Sequence, residues 1–301
     1  MSNDNLQTFI DEKPPKDSIT CIFGPTASGK SAAAIGVAQA HKGVIVNADS
    51  MQVYKELRSL SARPSVEEEA MAPHRLYGYL DGKSACNAAQ WAAQANAEIE
   101  KIKANGQHPI VIGGTGLYFR ALLEGLSPIP TVDEKVETRV RAFSNDALDA
   151  TLSITGETHL KDQQRKKRAV SVYISSGKPL AHWQAIEPTP TSYTYRFAIL
   201  WPEREALYAR INQRFEQMIR HGDALEEVRE LAALGLSTEA PVMRAIGVPE
   251  LIAHQRGQLD LEAAIALAQQ ATRRYAKRQF TWMRSEKEKR QNDPNFRLVE
   301  L

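Results

Sequence analysis

The chain has 301 residues, of which 43% are hydrophobic and 25% are charged, with a net charge of +2. This composition excludes a largely disordered chain, and the lack of any apolar run of ~18 residues excludes a membrane-spanning helix. The length suggests about two domains, or one large domain with an insertion, and the polar N-terminus without an apolar signal segment predicts a cytoplasmic protein.

In the first half of the chain, short apolar segments alternate with helical ones. After a predicted loose tail over residues 1–17, we expect strands at 19–23, 43–47 and 108–112 and helices at 31–40 and 87–105. The segment 61–82 lacks periodicity and is predicted to be loop with short elements. Strands that alternate with helices predict a parallel sheet covered on both faces, which binds ligands at the carboxyl ends of its strands.

The composition changes after Gly125, where prolines interrupt the pattern. Residues 132–177 predict several charged helices, 179–191 a loop, and 195–200 a strand that returns to the sheet. Helical spacing then predicts a helix over 202–222 and a long helix over 260–290, with Asp260 as its N-cap. We therefore predict an α/β core formed by residues 18–125 and 192–291, with a helical insertion at 126–191.

A glycine-rich motif follows the first predicted strand. Residues 24–31 read GPTASGKS and fit G-x-x-x-x-G-K-[ST], with a strand before the motif and a helix after it. In this context the backbone N–H groups and the start of the helix surround phosphate oxygens, Lys30 adds a positive charge, and the Ser31 hydroxyl suits Mg²⁺. The motif predicts a site for a diphosphate or triphosphate.

Two other turns lie at predicted strand ends. Asp49 follows the second strand and could hold Mg²⁺ through water, act as a general base, or cap a helix. The turn at 113–116, GGTG, allows a close backbone approach, and Thr115 could donate to a phosphate or a base. A plain connection between strand and helix explains that turn equally well.

Two segments are dense in Lys and Arg, which indicates a polyanionic partner or two solvated helix faces. The first contains Lys161, Arg165, Lys166, Lys167 and Arg168; the second contains Arg273, Arg274, Lys277, Arg278, Arg284, Lys287, Lys289 and Arg290. Tyr275, Phe280 and Trp282 interleave with the second segment, at a spacing more typical of core than of base stacking.

Six motifs in this order carry a resemblance to a known family. They are GPTASGKS, NADSMQVY, APHRLYG, GGTGLYFRALLEGLS, DQQRKKRAVSVYISSGK and TRRYAKRQFTWMR, spread from about residue 19 to residue 284. Together they resemble the bacterial tRNA dimethylallyltransferase family, also called tRNA isopentenyltransferases. The resemblance implies a P-loop α/β fold with a helical insertion and a helical C-terminal region.

The resemblance also implies an activity and a site. The dimethylallyl group of dimethylallyl diphosphate would pass to N6 of the adenosine 3′ of the anticodon, in tRNAs that read codons beginning with U. Thr26, Asp49 and Arg244 would be catalytic, with Asp49 at the N6 amine and Arg244 on the diphosphate. Mg²⁺ would bind at Ser31, and the diphosphate would contact Gly24, Pro25, Thr26, Ala27, Ser28, Gly29, Lys30 and Ser31.

By the same resemblance, the anticodon stem-loop of tRNA would contact two groups of residues in an enzyme that we expect to be monomeric. These residues are Asp49, Ser50, Met51, Gln52 and Thr115, and Glu137, Gln163, Gln164, Arg165, Lys166 and Lys167 in the insertion. The chain departs from the family at Glu137, where a basic residue is common, and at Val248 and Pro249, where the family often has tyrosine and a basic residue. Both departures concern tRNA contacts and leave the P-loop, Asp49 and Arg244 unchanged.

Three other functions compete with this one. A nucleotide kinase would share the P-loop and Asp49 but would not need the basic segments or so large an insertion. An isopentenyltransferase acting on free AMP, ADP or ATP would not need residues 272–290. A non-enzymatic RNA-binding module would need none of Lys30, Ser31 and Asp49.

Overall fold

The computed structural model describes residues 2–188 and 193–301. It divides into two compact units, the first formed by residues 1–122 and 192–301 and the second by residues 123–191. The chain passes from the first unit into the second close to the predicted position at residue 125. The predicted return between residues 191 and 192 lies outside the described residues.

The first unit is built on one parallel sheet, as predicted. Its strands are β1 (Ser18–Phe23), β2 (Gly43–Asn47), β3 (His74–Arg75), β4 (His108–Gly113), β5 (Thr194–Trp201) and β6 (Phe296–Glu300), in the order β3-β2-β4-β1-β5-β6. Every residue of β1 and β2 is buried, because helices cover both faces of the sheet. The short strand β3 lies inside the segment predicted as irregular, and β6 was not predicted.

Helices make up most of the remaining described chain. In chain order they are α1 (Ser2–Asp11), α2 (Lys30–His41), α3 (Val66–Met71), α4 (Ala88–Ala104), α5 (Gly116–Leu123), α6 (Glu134–Arg141), α7 (Asn145–Thr155), α8 (Gln163–Ser176), α9 (Leu180–Gln184), α10 (Arg204–Arg220), α11 (Ala224–Ala233), α12 (Val248–Gln255) and α13 (Leu261–Arg290). Asp260 caps α13 as predicted, since its Oδ1 accepts from the N–H of Ala263 at 2.7 Å. No helix in the described part of the chain combines the length and apolarity needed to cross a bilayer.

The predicted loose tail is wrong, because residues 2–11 form helix α1. Leu6, Phe9 and Ile10 share one helical face and pack against the core that contains α2. Phe9 is 2% exposed, and the guanidinium of Arg196 lies 3.9 Å from the centre of its ring. Three apolar residues in a polar stretch are too weak a pattern to predict such a helix. The predicted loop over 179–191 is also partly wrong, since Leu180–Gln184 form α9.

Backbone hydrogen bonds hold together the loops that follow β1, β2 and β4. The N–H of Ala48 donates to the carbonyl of Ile112 at 2.6 Å, and the N–H of Thr115 donates to the carbonyl of Ala48 at 3.3 Å. A Cβ atom on Gly113 would lie 2.2 Å from that same Ala48 carbonyl oxygen. Only glycine therefore allows these loops to approach so closely, and the approach brings three strand ends to one place.

The second unit has a hydrophobic core of its own. Val140, Leu148, Leu152 and Val170 are at most 1% exposed and belong to one cluster contributed by α6, α7 and α8. Side chains cap the start of each of these helices, with Asp162 accepting from the N–H of Arg165 at 2.9 Å at the start of α8. This arrangement packs α8 into the unit and leaves Gln163, Gln164 and Arg165 of its first turn exposed.

Candidate active site

The glycine-rich motif forms a tight loop between β1 and α2. Gly29 has a φ of 83°, a left-handed conformation that glycine adopts at little cost, and α2 begins at the next residue. The N–H of Ser28 donates to the carbonyl of Pro25 at 3.2 Å, which closes the loop. The hydroxyl of Ser28 is buried and has no hydrogen-bond partner. The loop therefore contains a buried hydroxyl, that of Ser28, which is available to form a hydrogen bond with a ligand.

Lys30 lies in this loop with its ammonium group turned inward. Its Nζ donates to the carbonyl of Pro25 at 3.3 Å. Burial lowers the pKa of Lys30 to about 8; the charge of Asp49 acts in the opposite direction, and that of Arg214 adds to the lowering. A buried ammonium that lacks a carboxylate partner favours the arrival of an anion.

Asp49 lies at the end of β2, and its backbone is fixed by the buried side chain of Asn47. The Oδ1 of Asn47 accepts from the N–H of Asp49 at 2.8 Å, and the Nδ2 donates to the carbonyls of Asp49 and Leu76 at 3.0 Å. The Oδ1 of Asp49 accepts from the N–H of Met51 at 2.9 Å. No helix starts here, so the helix-cap interpretation of Asp49 is wrong, and its Oδ2 has no hydrogen-bond partner among the described residues.

The turn after β4 places Thr115 beside the loop that carries Asp49. The Oγ1 of Thr115 accepts from the N–H of Ser50 at 3.1 Å and donates to the Oγ of Ser50 at 3.4 Å. The turn also connects β4 to α5. Its two interpretations, as a site for ligand contact and as a plain connection between strand and helix, are therefore compatible. Residues 49, 50 and 115, all predicted site residues, are brought together here.

Helix α13 fastens the P-loop to the turn after β4 through Gln279, which is 4% exposed. The Oε1 of Gln279 accepts from the N–H of Thr26 at 3.0 Å, and its Nε2 donates to the carbonyl of Gly114 at 2.9 Å. A Cβ atom on Gly114 would lie 2.0 Å from that Nε2, which explains the second glycine of the turn. Gln279 was not predicted from the sequence.

Two further residues of α13 share this face. Tyr275 interacts with the side chains of Thr115 and Gln279, and burial raises its pKa. Trp282 packs on Phe23 of β1 with ring centres 4.2 Å apart, and it fills the space beside Gly116. Phe280, which is 8% exposed, is core as its spacing predicted, and Trp282 is partly buried against the sheet. Tyr275 instead lines a cavity at the carboxyl ends of the strands.

This cavity, of about 260 Å³, opens between these loops and helices α10 and α13. Its polar lining consists of Thr26, Asp49, Ser50, Ser61, Arg214, Arg244, Thr272, Tyr275 and Arg278, and its apolar lining includes Met51, Leu60, Ile211, Phe215, Met218 and Ile246. A larger cavity of about 750 Å³ lies near the amino ends of the strands, at Lys13, Lys42 and His108. It contains none of the predicted site residues. Its Lys42 and Lys103 lie where helices α2 and α4 end, where positive charge offsets the helix dipoles.

Two of the three arginines that line the smaller cavity differ in their contacts. Arg244, a predicted site residue in the 3₁₀ turn Pro241–Arg244, has a side chain 40% exposed and is paired with Glu239. Arg214, on α10, donates from Nη2 to the Oγ1 of Thr26. Burial lowers the pKa of Arg214, and the charge of Asp49 opposes that shift. Arg214 was not predicted, although an arginine on the apolar face formed by Leu207, Ile211 and Phe215 was a usable signal.

The wall of the cavity near Leu60 is held by a half-buried network of hydrogen bonds. The carboxylate of Glu227, on α11, accepts from the backbone N–H groups of Arg58, Ser59 and Leu60 at 2.5–3.0 Å. The Nε2 of Gln52 donates to the carbonyls of Ser61 and Ala62 at 3.0 and 2.8 Å. The amide N–H groups of Gln52, a predicted tRNA contact, are thus engaged in shaping this segment.

The predicted tRNA contacts in the second unit lie on α6 and on the first turn of α8. Gln163, Gln164 and Arg165 are exposed. Lys166 pairs with Asp149 at 2.5 Å, Lys167 donates to the carbonyl of Arg141 at 3.2 Å, and Glu137 pairs with Arg141 at 3.4 Å. In the first unit, Val248 is fully buried at the start of α12, and the Glu250 carboxylate accepts from the N–H of Gly247 at 3.1 Å. Val248 and Pro249 therefore fit this fold as the start of a helix.

Comparison with known proteins shows which family the chain is similar to. A family model described as IPP transferase matches residues 52–286. A protein from Rhodospirillum centenum named tRNA dimethylallyltransferase is 48% identical over 282 residues, which cover 90% of each chain, and one of the same name from Azorhizobium caulinodans is 46% identical over 286 residues, which cover 91% of each. The similarity thus extends over nearly the whole chain.

Solved structures give the same result for the fold. The tRNA isopentenylpyrophosphate transferase of Bacillus halodurans matches with a TM-score of 0.66 at 29% identity, covering 95% of this chain and 90% of its own. A tRNA isopentenylpyrophosphate transferase of Staphylococcus epidermidis matches with a TM-score of 0.65 at 30% identity, covering 94% and 92%. A eukaryotic dimethylallyltransferase acting on tRNA has the same fold, with a TM-score of 0.79 at 24% identity over 94% of this chain and 73% of its own.

Proposed function

The chain belongs to the IPP transferase family, and on that premise we propose that it is a tRNA dimethylallyltransferase. It transfers the dimethylallyl group of dimethylallyl diphosphate to N6 of the adenosine 3′ of the anticodon, in tRNAs that read codons beginning with U. The product is N6-dimethylallyladenosine. The observation that carries the proposal is the cavity that Thr26 of the P-loop lines together with Asp49 and Ser50, where Ser50 is hydrogen-bonded to Thr115 of the turn after β4.

Asp49 is the general base of this reaction. An adenine N6 amine is a weak nucleophile because its lone pair is delocalised into the ring. A carboxylate that accepts the N6 proton as the carbon–nitrogen bond forms accelerates such a step by ~10²–10⁴-fold. The free Oδ2 of Asp49 supports this role, since the Oδ1 is engaged with the N–H of Met51. Asn47 keeps the carboxylate in position through its hydrogen bonds to the Asp49 backbone.

The P-loop holds the leaving diphosphate. Lys30 supplies one positive charge, and the backbone N–H groups at the start of α2 donate to phosphate oxygens. The hydroxyls of Thr26 and Ser31 are hard oxygen donors of the kind that Mg²⁺ takes. The described residues contain no cluster of three or more His, Cys, Asp or Glu that could hold a metal ion. Bound Mg²⁺ would offset the charge of the departing diphosphate.

The tRNA reaches this cavity only if the target adenosine leaves its stack. The exposed residues Gln163, Gln164 and Arg165 at the start of α8 support contacts with phosphates of the anticodon stem-loop, which carry no base sequence. Ser50 and Thr115 lie next to Asp49 and are suited to contact the flipped nucleotide. An enzyme of this kind works as a monomer in the cytoplasm, where tRNA is found.

The test is prenyl transfer with purified protein, labelled dimethylallyl diphosphate and Mg²⁺, with total tRNA, free AMP or no acceptor. We expect label in tRNA, mapped by nuclease digestion to the nucleotide 3′ of the anticodon. Asp49→Asn should lower the rate by ~10²–10⁴-fold and leave tRNA binding unchanged. Asp223→Asn is the matched control, because Asp223 is exposed and its side chain caps no backbone group.

Other outcomes would contradict the proposal in distinct ways. Label that enters AMP alone would assign the chain to transferases acting on free nucleotides. Phosphate release from ATP without prenyl transfer would indicate a kinase or an NTPase. Full activity of Asp49→Asn would remove the general-base role while leaving the transferase intact.

A further inference from the structure

We propose that Glu227 is a positioning residue that determines which donor chain length the enzyme accepts, because its carboxylate holds residues 58–60 at the apolar part of the cavity. This inference rests on the proposed function. It concerns a residue of α11 that does not itself line the cavity and that lies outside all six motifs of the sequence analysis.

The first argument is the way in which the Glu227 carboxylate is bonded. Its Oε1 accepts from the N–H groups of Arg58 and Ser59 at 3.0 and 2.5 Å, and its Oε2 accepts from the N–H of Leu60 at 3.0 Å. Hydrogen bonds to an ionised acceptor are stronger than those between neutral groups. Both oxygens of this carboxylate are therefore engaged with the backbone of one short segment.

The neighbouring acid on the same helix is bonded differently. Glu226 pairs with Arg229 of α11 itself, at 2.5 Å and on the exposed side of the helix. Glu227 forms no ion pair with any residue that the structure describes. It is next to Val228, which is fully buried like Ala224 one turn earlier, so a buried helix face supports its position. The carboxylate thus acts on the segment from a firmly packed helix.

The second argument is that the segment depends on side chains for its shape. Residues 57–63 form neither a helix nor a strand. Ala62 has a φ of 54°, a left-handed conformation that is costly for a residue with a Cβ atom. Gln52 donates from Nε2 to the carbonyls of Ser61 and Ala62 at 3.0 and 2.8 Å. Glu227 therefore holds the N–H groups at the start of the turn, and Gln52 holds the carbonyls that follow.

The third argument is the place of this turn in the cavity. Leu60 and Ser61 line the cavity, and Leu60 shares its apolar part with Phe215 and Met218. Leu60 and Phe215 both approach Gly247, where a Cβ atom would lie 2.9 Å from Cδ1 of Leu60 and 3.1 Å from Cε2 of Phe215. The position of Leu60 therefore affects the size of the apolar part of the cavity.

The chemistry of the donor connects this wall to specificity. An allylic diphosphate has a charged head and an apolar chain, and the cavity has a polar and an apolar lining. A hydrophobic pocket distinguishes chains that differ by one methylene by ~10–200-fold. That discrimination requires a wall that does not yield to the longer chain. Glu227 would supply this firmness through the backbone of Leu60, without contacting the donor.

The test compares kcat/KM for dimethylallyl diphosphate with kcat/KM for geranyl diphosphate, its ten-carbon counterpart, with tRNA as the acceptor. Glu227→Gln replaces one acceptor oxygen by an amide that cannot accept, so the turn loses part of its support. We expect the preference for the shorter donor to fall by about tenfold or more. The KM for dimethylallyl diphosphate should rise, and the KM for tRNA should stay at its wild-type value.

Two further variants of α11 refine this measurement. Glu227→Asp keeps the charge on a shorter side chain and should give a preference between those of Glu227→Gln and the wild type. Glu226→Gln is the matched control, because it removes the neighbouring carboxylate, whose partner is on the same helix. It should retain the wild-type preference.

The ratio of the two kcat/KM values separates positioning from general support of the fold. A loss of folded protein lowers both values by the same factor and leaves their ratio unchanged. Leu60→Ala shortens the wall directly and should also lower the preference for the shorter donor. A wild-type preference in Glu227→Gln would overturn the inference whatever the unfolding midpoint of the variant, and so would an equal loss of preference in Glu226→Gln.

Failure of the proposed function would look different from failure of this inference. If the wild type transfers no prenyl group to tRNA, the proposed function is wrong. Calorimetry of the two diphosphates then decides the role of Glu227. The ratio of their dissociation constants should move towards one in Glu227→Gln, and a ratio equal to that of the wild type would overturn the inference.

Discussion

The two basic segments of this chain look alike in sequence but use their cations differently. One covers residues 161–168 at the start of α8, and the other covers residues 272–290 in the second half of α13. Either one, taken alone, indicates a polyanionic partner. In the structure, however, the two segments differ in what surrounds their charged groups.

In α13, several cations have partners inside the first unit. Arg273 donates to the Oδ1 of Asn212 at 2.6 Å, and the carboxylate of Glu286, 3% exposed, pairs with Lys289 and Arg290 at 3.1 Å. Lys287 lies 5.6 Å from the centre of the Trp201 ring. Arg273 thus connects α13 to α10, Lys287 lies against β5, and the Glu286 pairs lie within α13 itself. Arg274, Lys277 and Arg284 of the same segment are exposed, and their side chains have no partner among the described residues.

In α8, the cations divide into two kinds. Lys166 and Lys167 have acceptors in the second unit, whereas Arg165 and Arg168 are exposed and their side chains form no bond with any described residue. The density of charge along a sequence therefore does not identify a nucleic-acid surface. On the proposed function, we expect the cations that lack internal partners to face the tRNA, and in the first basic segment these are the two arginines.

The largest effect is expected at Gln279, the residue through which the second basic segment contacts the loops of the active site. Gln279→Met leaves the N–H of Thr26 and the carbonyl of Gly114 buried without partners, each at a cost of about 1–3 kcal/mol. We expect the free energy of unfolding in urea to fall by about 2–5 kcal/mol on this basis. The transfer rate should fall by ~10²-fold, because two loops of the site lose their fixed distance.

Gln270→Met is the control for Gln279→Met, since Gln270 is an exposed glutamine of the same helix. It should change neither stability nor rate. A Gln279→Met protein with wild-type stability and rate would show that α13 does not hold the loops. In that case the main role of α13 would be to present a basic surface, and it would have no structural role in the first unit.

A smaller effect is expected at Glu286, the acid that neutralises two cations of the same segment. Glu286→Gln keeps the shape but removes the charge that Lys289 and Arg290 share. We expect a loss of about 1–3 kcal/mol in the free energy of unfolding and a tRNA dissociation constant close to that of the wild type. Glu288→Gln, at an exposed position two residues later, should change neither. Tighter tRNA binding by Glu286→Gln would instead indicate that these cations face the tRNA.

Much of the fold was predictable from local pattern. Buried strands, the glycine-rich turn and the cap at Asp260 each depend on a few neighbouring residues, and the structure contains them at the expected places. Helix α1 was missed because its helical face has only Leu6, Phe9 and Ile10, and its stability comes from tertiary packing on α2 and β6. Local propensity cannot predict packing of this kind.

The site was predictable only in part, for the same reason. The P-loop and Asp49 lie in short motifs at strand ends, so a sequence pattern finds them. Gln279 and Arg214 act on Thr26 from 253 and 188 residues away in the chain, and no local spacing indicates which loop a helical side chain will reach. A polar residue on an apolar helical face, as at Arg214, is the signal to search for in such sequences.

The smallest effect on the protein itself is expected in the first basic segment. Arg165→Gln combined with Arg168→Gln removes two exposed cations, so the free energy of unfolding should stay within about 0.5 kcal/mol of the wild type. The tRNA dissociation constant should rise, and the slope of its logarithm against the logarithm of salt concentration should fall by roughly 0.9 for each phosphate that the variant no longer binds. The measurement is tRNA binding by fluorescence anisotropy across a salt series.

The control for this pair must also remove two exposed arginines, and Arg210→Gln combined with Arg256→Gln, both in the first unit, meets that condition. If any loss of positive charge weakened binding equally, the control would show the same smaller slope. A smaller slope in the α8 variant alone would locate phosphate contacts on the arginines that have no internal partner. Equal salt-dependence slopes in the α8 variant and the wild type would instead mean that arginines without internal partners do not mark the tRNA surface. The difference between the two segments would then have no functional meaning.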